Sequence, residues 1–336
     1  MRPGEKGSFI YISDELVRQH LSLPEAIEIV KSVYRLHGLN EAWVSNPSAT
    51  FLTGIKNDKF FYKVKGACVP SKEVAGFRII GNAGPESSSE EPWTYRYCYL
   101  ADPRTAMPLA VIDEFYQSAL RTGVTGAVAL SVFGRKDSSV LAIVGAGTIA
   151  KYVMEALTHF FSLKEIRVSA KNKVSRKAFA GDIEARLRLR AEAVATPEEA
   201  VRGADLVVTI TDADTALVSA EWLSPGTTVC SMGNNQELDP KVFYEADKFF
   251  IDEWGFCMDV GDVHAWVTKG YVKEAEVREK LNGTIGEVMA ERRQGRENER
   301  EKILIIPQGM AACDLAFARF VYEKVKNSEL VQRIYM

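Results

Sequence analysis

The stretch VLAIVGAGTIAKYVMEALTHFF, residues 140–161, decides the fold class. An apolar run ends at Gly145, and Gly147 and Ala150 complete a Gly-x-Gly-x-x-Ala spacing before an apolar-rich stretch. Gly145 permits a tight turn, Gly147 lets a backbone approach a pyrophosphate, and Ala150 lets helix and strand pack closely. A helix that opens near Thr148 would offer free N–H groups to phosphates. The pattern predicts a dinucleotide site, and a glycine turn without a ligand is the alternative.

The chain around this loop alternates regularly between strand and helix patterns. Helical stretches lie between the strand-like runs VLAIVG, EIRVSA, AEAVA, ADLVVTIT, GTTVCSMG and KFFIDEW. One helix opens at Thr196 with a capping box and with Pro197 at its first position. Such alternation predicts a Rossmann-type, doubly wound parallel sheet over residues 123–305.

The remaining residues, 1–122 and 306–336, predict a smaller, discontinuous α+β domain. The runs SFIYIS, KFFYKVKGACV, EVAGFRII, TYRYCYLAD and PLAVID are typical of an antiparallel or mixed sheet, with one helix, LPEAIEIVKSVYRLHG, before most of them. We expect ILIIPQG and the last helix, MAACDLAFARFVYEKVKN, to return to this domain. The charged stretch AERRQGRENEREK is interpreted as a solvated loop.

Composition excludes several classes of partner. The 336 residues are enough for two domains, and 46% apolar with 26% charged residues is typical of a globular protein. A net charge of −3 gives no reason to expect nucleic acid or a membrane surface. The first residues lack the apolar core of a signal peptide, and no apolar run reaches the roughly 18 residues of a membrane span. Five scattered cysteines indicate reduced thiols in the cytoplasm, and four scattered histidines give no metal-site spacing.

The end of the second strand of the nucleotide domain indicates which cofactor is preferred. NAD-specific sites usually place an acid there to bind the ribose 2′-hydroxyl. This chain has VSAKNKVSR, with Ser169, Lys171, Lys173 and Arg176 and no acid. A hydroxyl and cations would hold a 2′-phosphate, which a carboxylate would repel. We therefore expect NADP(H) to be preferred, with NAD(H) possible; a solvated helix start is the alternative.

Several motifs together resemble the ornithine cyclodeaminase/mu-crystallin family. The family shows an Arg-Thr pair before a helix, matched by Arg121 and Thr122, about 25 residues before the glycine loop. It also shows an ADLVVTIT-like strand, a W-L-x-P-G turn and a Gly-x-x-x-x-Asp helix start. These are matched in order by Ala204–Thr211, by Trp222, Leu223, Pro225 and Gly226, and by Gly309 with Asp314. The resemblance covers nearly the whole chain.

The resemblance implies a homodimer whose first domain carries the dimer interface and the substrate pocket. Members act at a carbon that bears nitrogen beside a carboxylate. The family's substrate arginine would be Arg121, at the domain junction, and its nicotinamide-side threonine would be Thr122. A structural ion pair is the alternative role for Arg121. The candidate cofactor-binding residues are Thr122, Gly145, Gly147, Thr148, Ile149, Ser169, Lys171, Lys173, Arg176, Thr209, Met232 and Gly233.

The chain departs from the family pattern at three places. A Pro-x-Arg arginine is replaced by Ala49 in NPSAT, and the lysine of a G-(I/V/F)-K strand becomes Arg78 in AGFRII. A loop that often carries an aspartate is shorter here, SMGNNQELD, with Asn234 or Asn235 in its place. The shorter loop resembles the siderophore-pathway amino-carboxyethyl-glutamate dehydrogenase branch. Glu237 is then the nearest acid, either as a proton donor or in a structural role.

The loss of the lysine points to a compensating residue. Arginine stays charged at ordinary pH and does not exchange a proton, whereas lysine can be tuned to do so. KVKGACV and EVAGFRI predict a hairpin around residues 70–73; pairing Val69 with Val74 places Lys65 across from Arg78 on the same face. Lys65 would then restore an ammonium group, unless it is an exposed strand residue.

These observations favour an NAD(P)H-dependent oxidoreductase acting on the C–N bond of an imine or amino acid. A small carboxylate-bearing substrate would meet the candidate catalytic residues Lys65, Arg78, Arg121 and Glu237. Two alternatives remain. One is a redox-neutral cyclodeaminase that keeps its NAD bound, and the other is an NADP-dependent binding protein without turnover.

Overall fold

The computed structural model describes residues 7–53, 61–82 and 94–335, and every statement about its content refers to these. The chain divides into two compact units, residues 1–121 with 310–336 and residues 122–309. The sequence-based boundaries place residue 122 and residues 306–309 in the first unit instead. Lys59 and Phe60, which begin one expected strand, lie outside the described residues.

The secondary-structure elements are numbered along the chain. The first part contains β1 (Ser8–Ile12), α1 (Asp14–His20), α2 (Leu23–Gly38), β2 (Trp43–Val44), β3 (Thr50–Thr53), β4 (Phe61–Val69), β5 (Val74–Asn82), β6 (Thr94–Ala101), β7 (Pro108–Asp113) and α3 (Phe115–Phe133). There follow β8 (Val140–Val144), α4 (Thr148–Leu157), β9 (Glu165–Ser169), α5 (Lys173–Leu187), β10 (Arg190–Ala193), α6 (Pro197–Val201), β11 (Leu206–Thr209), β12 (Thr228–Ser231), α7 (Pro240–Glu245) and β13 (Lys248–Ile251). The last part contains α8 (Trp254–Asp259), α9 (Gly261–Thr268), α10 (Glu274–Lys280), β14 (Leu281–Thr284), α11 (Ile285–Met289), β15 (Ile303–Ile306), α12 (Ala311–Val325) and β16 (Gln332–Tyr335).

The first unit is built on a mixed sheet, as the sequence predicts. Its described strands run in the order β16-β1-β7-β6-β5-β4-β2, with β3 also pairing with β4, and only β1 and β7 pair in parallel. The helix expected at residues 23–38 is α2. The expectation of a single early helix is wrong, because Ser13 caps a further short helix, α1, through its side chain.

The hairpin between β4 and β5 fixes which side chains share a face. Val69 pairs with Val74 and Lys65 with Arg78, so the predicted register is confirmed. The strands are connected by a 3₁₀ turn over Pro70–Lys72, followed by Glu73 in the left-handed backbone region. The last helix, α12, packs against β4, β5 and β6. The hairpin therefore has one face covered by α12, and Lys65 and Arg78 are buried on it.

The second unit is a parallel α/β domain, which confirms the predicted fold class. Its described strands are all parallel, in the order β10-β9-β8-β11-β12-β15-β13-β14. Strands β11, β12, β13 and β15 are buried throughout, as expected for a sheet covered on both faces. The chain order reverses at β8, whose carboxyl end faces the crevice where such folds bind ligands.

One expectation about the end of this unit is wrong. Strand Ile303–Ile306 does not return to the first unit; it lies between β12 and β13 in parallel register, because its wholly apolar side chains fit a doubly covered central strand. The segment 290–302 is a mostly exposed loop, as expected, with one anchored side chain. Arg296 donates to the carbonyl oxygens of Phe133 and Glu301 and to the hydroxyl of Thr228, each at 2.8 Å. These bonds tie the loop to the end of α3 and to the start of β12.

Candidate active site

A cluster of charged side chains lies on the helix-covered face of the first unit's sheet. Lys65 and Arg78 face each other across the hairpin and are 3% and 5% exposed. Helix α3 adds Glu114, just before its first residue, and Arg121, while α12 adds Asp314; all three are buried. Buried charges are stable only when paired, so the partners of each group determine what this cluster can do.

Two carboxylates hold two arginines in place. The Nε of Arg78 donates to Oε1 of Glu114 at 2.5 Å, and its Nη2 donates to the hydroxyl of Ser118, also at 2.5 Å. The Nε of Arg121 donates to Oδ1 of Asp314 at 2.6 Å, and the same oxygen lies 3.8 Å from the Nε of Arg78. Arg121 therefore does form an ion pair, and Asp314 links it to Arg78.

The two acids differ in how readily they take a proton. Burial favours the protonated form of both, but at Asp314 the charges of Arg121 and Arg78 outweigh burial and hold the pKa below its usual range. At Glu114 burial prevails over the charge of Arg78, so the pKa is raised. Asp314 therefore holds its negative charge more strongly than Glu114 does.

Lys65 has an environment that disfavours its charged form. Burial is the largest cause; Asp314 opposes it, while the charges of Lys63, Arg121 and Arg78 add to it, and the pKa lies well below that of an ordinary lysine. A lysine whose pKa is lowered in this way gives up its proton more readily than an ordinary lysine. The cluster therefore combines cations that can hold a carboxylate with a group suited to proton transfer.

Sequence reasoning did not single out two further cations of this face. Lys63 is half-buried two residues before Lys65, and burial together with Arg78, Arg121 and Arg96 lowers its pKa to about 7. Arg96 pairs with Ile80 across β5 and β6 and is half-buried as well. The two-residue period of KVK and RYC was the available signal, because alternate strand residues share a face. Ala49, which replaces a family arginine, is buried and supplies no charge.

In the second unit, the glycine loop has the geometry that a pyrophosphate requires. Gly145 has a φ of 123°, and a Cβ there would lie 2.2 Å from the carbonyl oxygen of Ile210. Gly147 is exposed with nothing within 4 Å of a Cβ position, and it begins α4 without any side-chain cap. Thr148 is exposed and Ile149 half-buried, so the first helical turn keeps N–H donors for phosphate oxygens. These residues fit a dinucleotide.

The residues expected at the ribose lie at the neighbouring strand end. Ser169 is buried at the end of β9, and its carbonyl oxygen accepts from the N–H of Gly145 at 2.8 Å. Lys171 and Lys173 are exposed, while Arg176 turns back to donate to the carbonyl oxygen of Ala170 at 3.0 Å. The described edge thus presents cations and no acid.

Asn172, not identified from the sequence, also lies at this edge. Its side chain caps α5 by accepting from the N–H groups of Val174 and Ser175.

Two other expected cofactor residues, Thr122 and Met232, lie on or beside α3. Thr122 is half-buried in this helix. Met232 packs against Gly126 of α3, where a Cβ would lie 2.3 Å from the methionine sulfur.

Glu237 forms the centre of a buried network in the second unit, whereas the cation cluster belongs to the first unit. Its carboxylate accepts from the hydroxyl of Thr209 at 2.7 Å and from the N–H groups of Thr211 and Gly233 at 2.5 and 2.8 Å. Burial raises the pKa of Glu237 although these donors oppose it. The contacts favour the structural role for Glu237, as a brace of the loop after β12, and the hydroxyl of Thr209 belongs to the same brace.

Metal-binding clusters and membrane-spanning helices are both absent from the described residues. No group of three or more His, Cys, Asp or Glu side chains there is arranged to hold a metal ion. Within the same ranges, no helix has the length and apolar character needed to cross a membrane.

A parallel α/β unit whose glycine loop fits a dinucleotide, combined in one chain with a mixed-sheet unit that buries arginines, a lysine and acids on one sheet face, defines a class of two-unit α/β proteins with a dinucleotide loop. The chain belongs to the ornithine cyclodeaminase/mu-crystallin family, whose model matches residues 26–329. Alanine dehydrogenase of Archaeoglobus fulgidus is 29% identical over 329 residues, which cover 97% of this chain and 98% of that protein.

Two further relatives agree with this assignment. A Δ1-pyrroline-2-carboxylate reductase of Bacillus cereus is 30% identical over 243 residues, covering 70% of this chain and 72% of that protein. The solved structure of an archaeal alanine dehydrogenase dimer with bound NAD has a TM-score of 0.89 and 29% identity, and covers 98% of this chain and 99% of that one. The predicted family is therefore confirmed.

Proposed function

We propose that this protein is a nicotinamide-dependent oxidoreductase that acts on the C–N bond of an imino or amino acid. The observation that carries the proposal is the buried cluster in which Asp314 joins Arg121 and Arg78, with Lys65 directly across the hairpin. Relatives that span most of the chain are named as a dehydrogenase of an amino acid and a reductase of a cyclic imino acid.

The side chains divide the work between binding and proton transfer. Asp314 orients Arg121 and Glu114 orients Arg78, so that both guanidinium groups are placed to hold a substrate carboxylate. A nicotinamide cofactor held at the glycine loop, at Gly145 and Gly147, would supply the hydride chemistry at the C–N carbon in either direction. Lys65 gives the matching proton to the nitrogen in reduction and takes it back in oxidation. Lys65, Arg78 and Arg121 are buried, and a charge contact made away from bulk water is stronger than one made at the surface.

The proposal includes a preference for NADP(H). It is supported by the exposed Lys171 and Lys173, by the guanidinium of Arg176 and by the absence of an acid among the described residues at the end of β9. A 2′-phosphate would find charge-assisted donors there, whereas a bare ribose would lack the usual carboxylate partner.

The proposal also includes a homodimer formed through the uncovered face of the first sheet. Tyr62, Phe77 and Tyr95 on neighbouring strands are 58%, 50% and 51% exposed. Together with Trp43, Phe77 borders a groove of about 500 Å³ on this face. An apolar surface of this kind is typical of a protein interface, and one relative was solved as a dimer. We further propose a cytoplasmic location, which the five free cysteines favour.

The test is a screen of 2-oxo acids with ammonium or amines, and of amino acids in the reverse direction, followed at the nicotinamide absorbance. Turnover that requires both the oxo acid and the nitrogen donor supports the proposal. The Arg121→Ala variant should show a much higher KM for the acid. Its Kd for the cofactor should stay within a few fold of the parent's. Ammonia release from a diamino acid without net absorbance change would instead indicate a cyclodeaminase, and binding without any turnover would indicate a non-catalytic protein.

A further inference from the structure

Arg96 differs from Arg78 and Arg121 in having no acidic partner among the residues that the structure describes. Arg78 and Arg121 each bond a carboxylate, whereas Arg96 donates from Nη1 to the hydroxyl of Ser118, at 3.2 Å. Its guanidinium lies over the ring of Phe115, with 5.2 Å to the ring centre. Among the described residues no carboxylate lies within 4.0 Å of it, and its buried Nε has no hydrogen-bond partner.

The charges of the cluster do not balance without a ligand. Arg78, Arg96 and Arg121 carry fixed positive charges, and within the described ranges the acids that contact the cluster are Glu114 and Asp314. Among these residues three fixed positive charges therefore face at most two negative ones, and Lys63 and Lys65 add more whenever they are protonated. An uncompensated charge that is even partly removed from water is costly, so the surplus favours an anionic ligand.

The cations form two rows along the strands. Lys65 and Arg78 are direct partners across β4 and β5 and form the first row. Lys63 and Arg96 both pair with Ile80, from either side, and form the second row. The second row is offset from the first by two residues along each strand, which is a distance of about 7 Å. One carboxylate at each row, joined by a short carbon chain, fits this spacing.

We infer that Arg96 binds a second carboxylate of the substrate, and that the substrate is therefore a dicarboxylic imino or amino acid. The statement that this acid is a substrate rests on the proposed function. The second carboxylate site itself involves residues of the first unit. The Nε and Nη groups of Arg96 provide the planar, paired donors that a carboxylate prefers. Lys63, with its pKa of about 7, takes up a proton when a second negative charge arrives beside it.

The experiment compares dicarboxylic and monocarboxylic acids on the full-length protein. Turnover of oxaloacetate and of pyruvate, each with ammonium and reduced cofactor, is measured beside the binding of succinate and propionate by calorimetry. We expect a clear preference for oxaloacetate and succinate. Arg96→Leu should lower kcat/KM for oxaloacetate and the affinity for succinate by roughly 10- to 100-fold, and change the values for pyruvate and propionate by no more than about threefold. Arg96→Lys should keep part of the preference.

Arg104→Leu is the matched control, because the Arg104 side chain is 78% exposed and pairs with Glu73 at the surface. The inference is overturned if pyruvate and propionate serve the parent protein as well as oxaloacetate and succinate, a result that needs no variant to fold. It is also overturned if Arg96→Leu weakens both classes of acid equally. If succinate binding depends on Arg96 but no acid is turned over, the second carboxylate site stands and the proposed reaction fails.

Discussion

Asp262 offers the sharpest test of the network that braces the loop after β12. It is fully buried in the first turn of α9; its Oδ1 accepts from the N–H groups of Glu237 and Leu238 at 2.8 and 2.9 Å, and its Oδ2 accepts from the hydroxyl of Ser231 at 2.5 Å. In Asp262→Asn the amide oxygen can keep both backbone bonds. The amide nitrogen can donate to Ser231, whose hydroxyl then turns to Glu237 at 3.2 Å.

The size of the effect follows from the pKa of Asp262. Burial, which outweighs the donors Ser231 and Leu238, raises that pKa from 3.8 to about 7. Between these values the folded protein holds a proton that the unfolded chain has lost, so this group makes the free energy of unfolding fall as pH rises from about 4 to about 7. A shift of about three pKa units corresponds to about 4 kcal/mol. The asparagine variant lacks this slope and should gain about that much over the parent across the window.

The assay is urea unfolding of the parent and the variant at a series of pH values, followed by circular dichroism. The control is Asp212→Asn, since Asp212 is an exposed aspartate of the same unit. We expect the control to run parallel to the parent while Asp262→Asn diverges upward with pH. Parallel curves for Asp262→Asn and the parent would refute the reasoning, because they would mean that Asp262 has the same proton affinity in the folded and unfolded chain.

Three further predictions concern the proposed function. Lys65→Met should cut single-turnover hydride transfer steeply with substrate binding mostly intact, whereas Arg78→Met should mainly weaken substrate binding; equal hydride transfer by Lys65→Met and the parent would leave Lys65 as a strand residue. Calorimetric titration should show tighter binding of NADPH than of NADH, and Lys171→Ala should reduce the difference while Lys136→Ala leaves it; equal affinities in the parent contradict the cofactor proposal. Light scattering should show a dimer that Phe77→Asp converts to monomer, and a parent that is already monomeric would exclude the proposed interface.

The parts of the fold that local sequence determines could be predicted. The glycine loop and the β4–β5 hairpin depend on residues close in sequence, where turn type and alternation fix the register. The strand Ile303–Ile306 could not be placed in the same way. Its position between β12 and β13 depends on which strand edge remains open after the others have paired, and a run of four apolar residues does not specify that.

The candidate site was predictable only in part, for the same reason. Lys65 and Arg78 are partners within one hairpin, so counting residues was enough to bring them together. The bond between Arg121 and Asp314 joins residues 193 positions apart, and Glu114 reaches Arg78 from 36 positions away. Burial decides the role of Glu237 and the proton affinity of Lys63, and burial is a property of packing that one sequence does not display.

The position of Asp314 explains why the chain must return to its first unit. Arg78 and Arg121 would repel each other on one buried face, and a single oxygen of Asp314, at 3.8 and 2.6 Å, holds both. Its other oxygen has no hydrogen-bond partner among the described residues, so the carboxylate has capacity left for a proton-bearing group of the cluster or of a substrate. Because this acid is carried by α12, the face that we propose for carboxylate binding is balanced only once the last helix has packed against β4, β5 and β6. The proposed binding of a substrate carboxylate and the closure of the first unit thus depend on the same side chain.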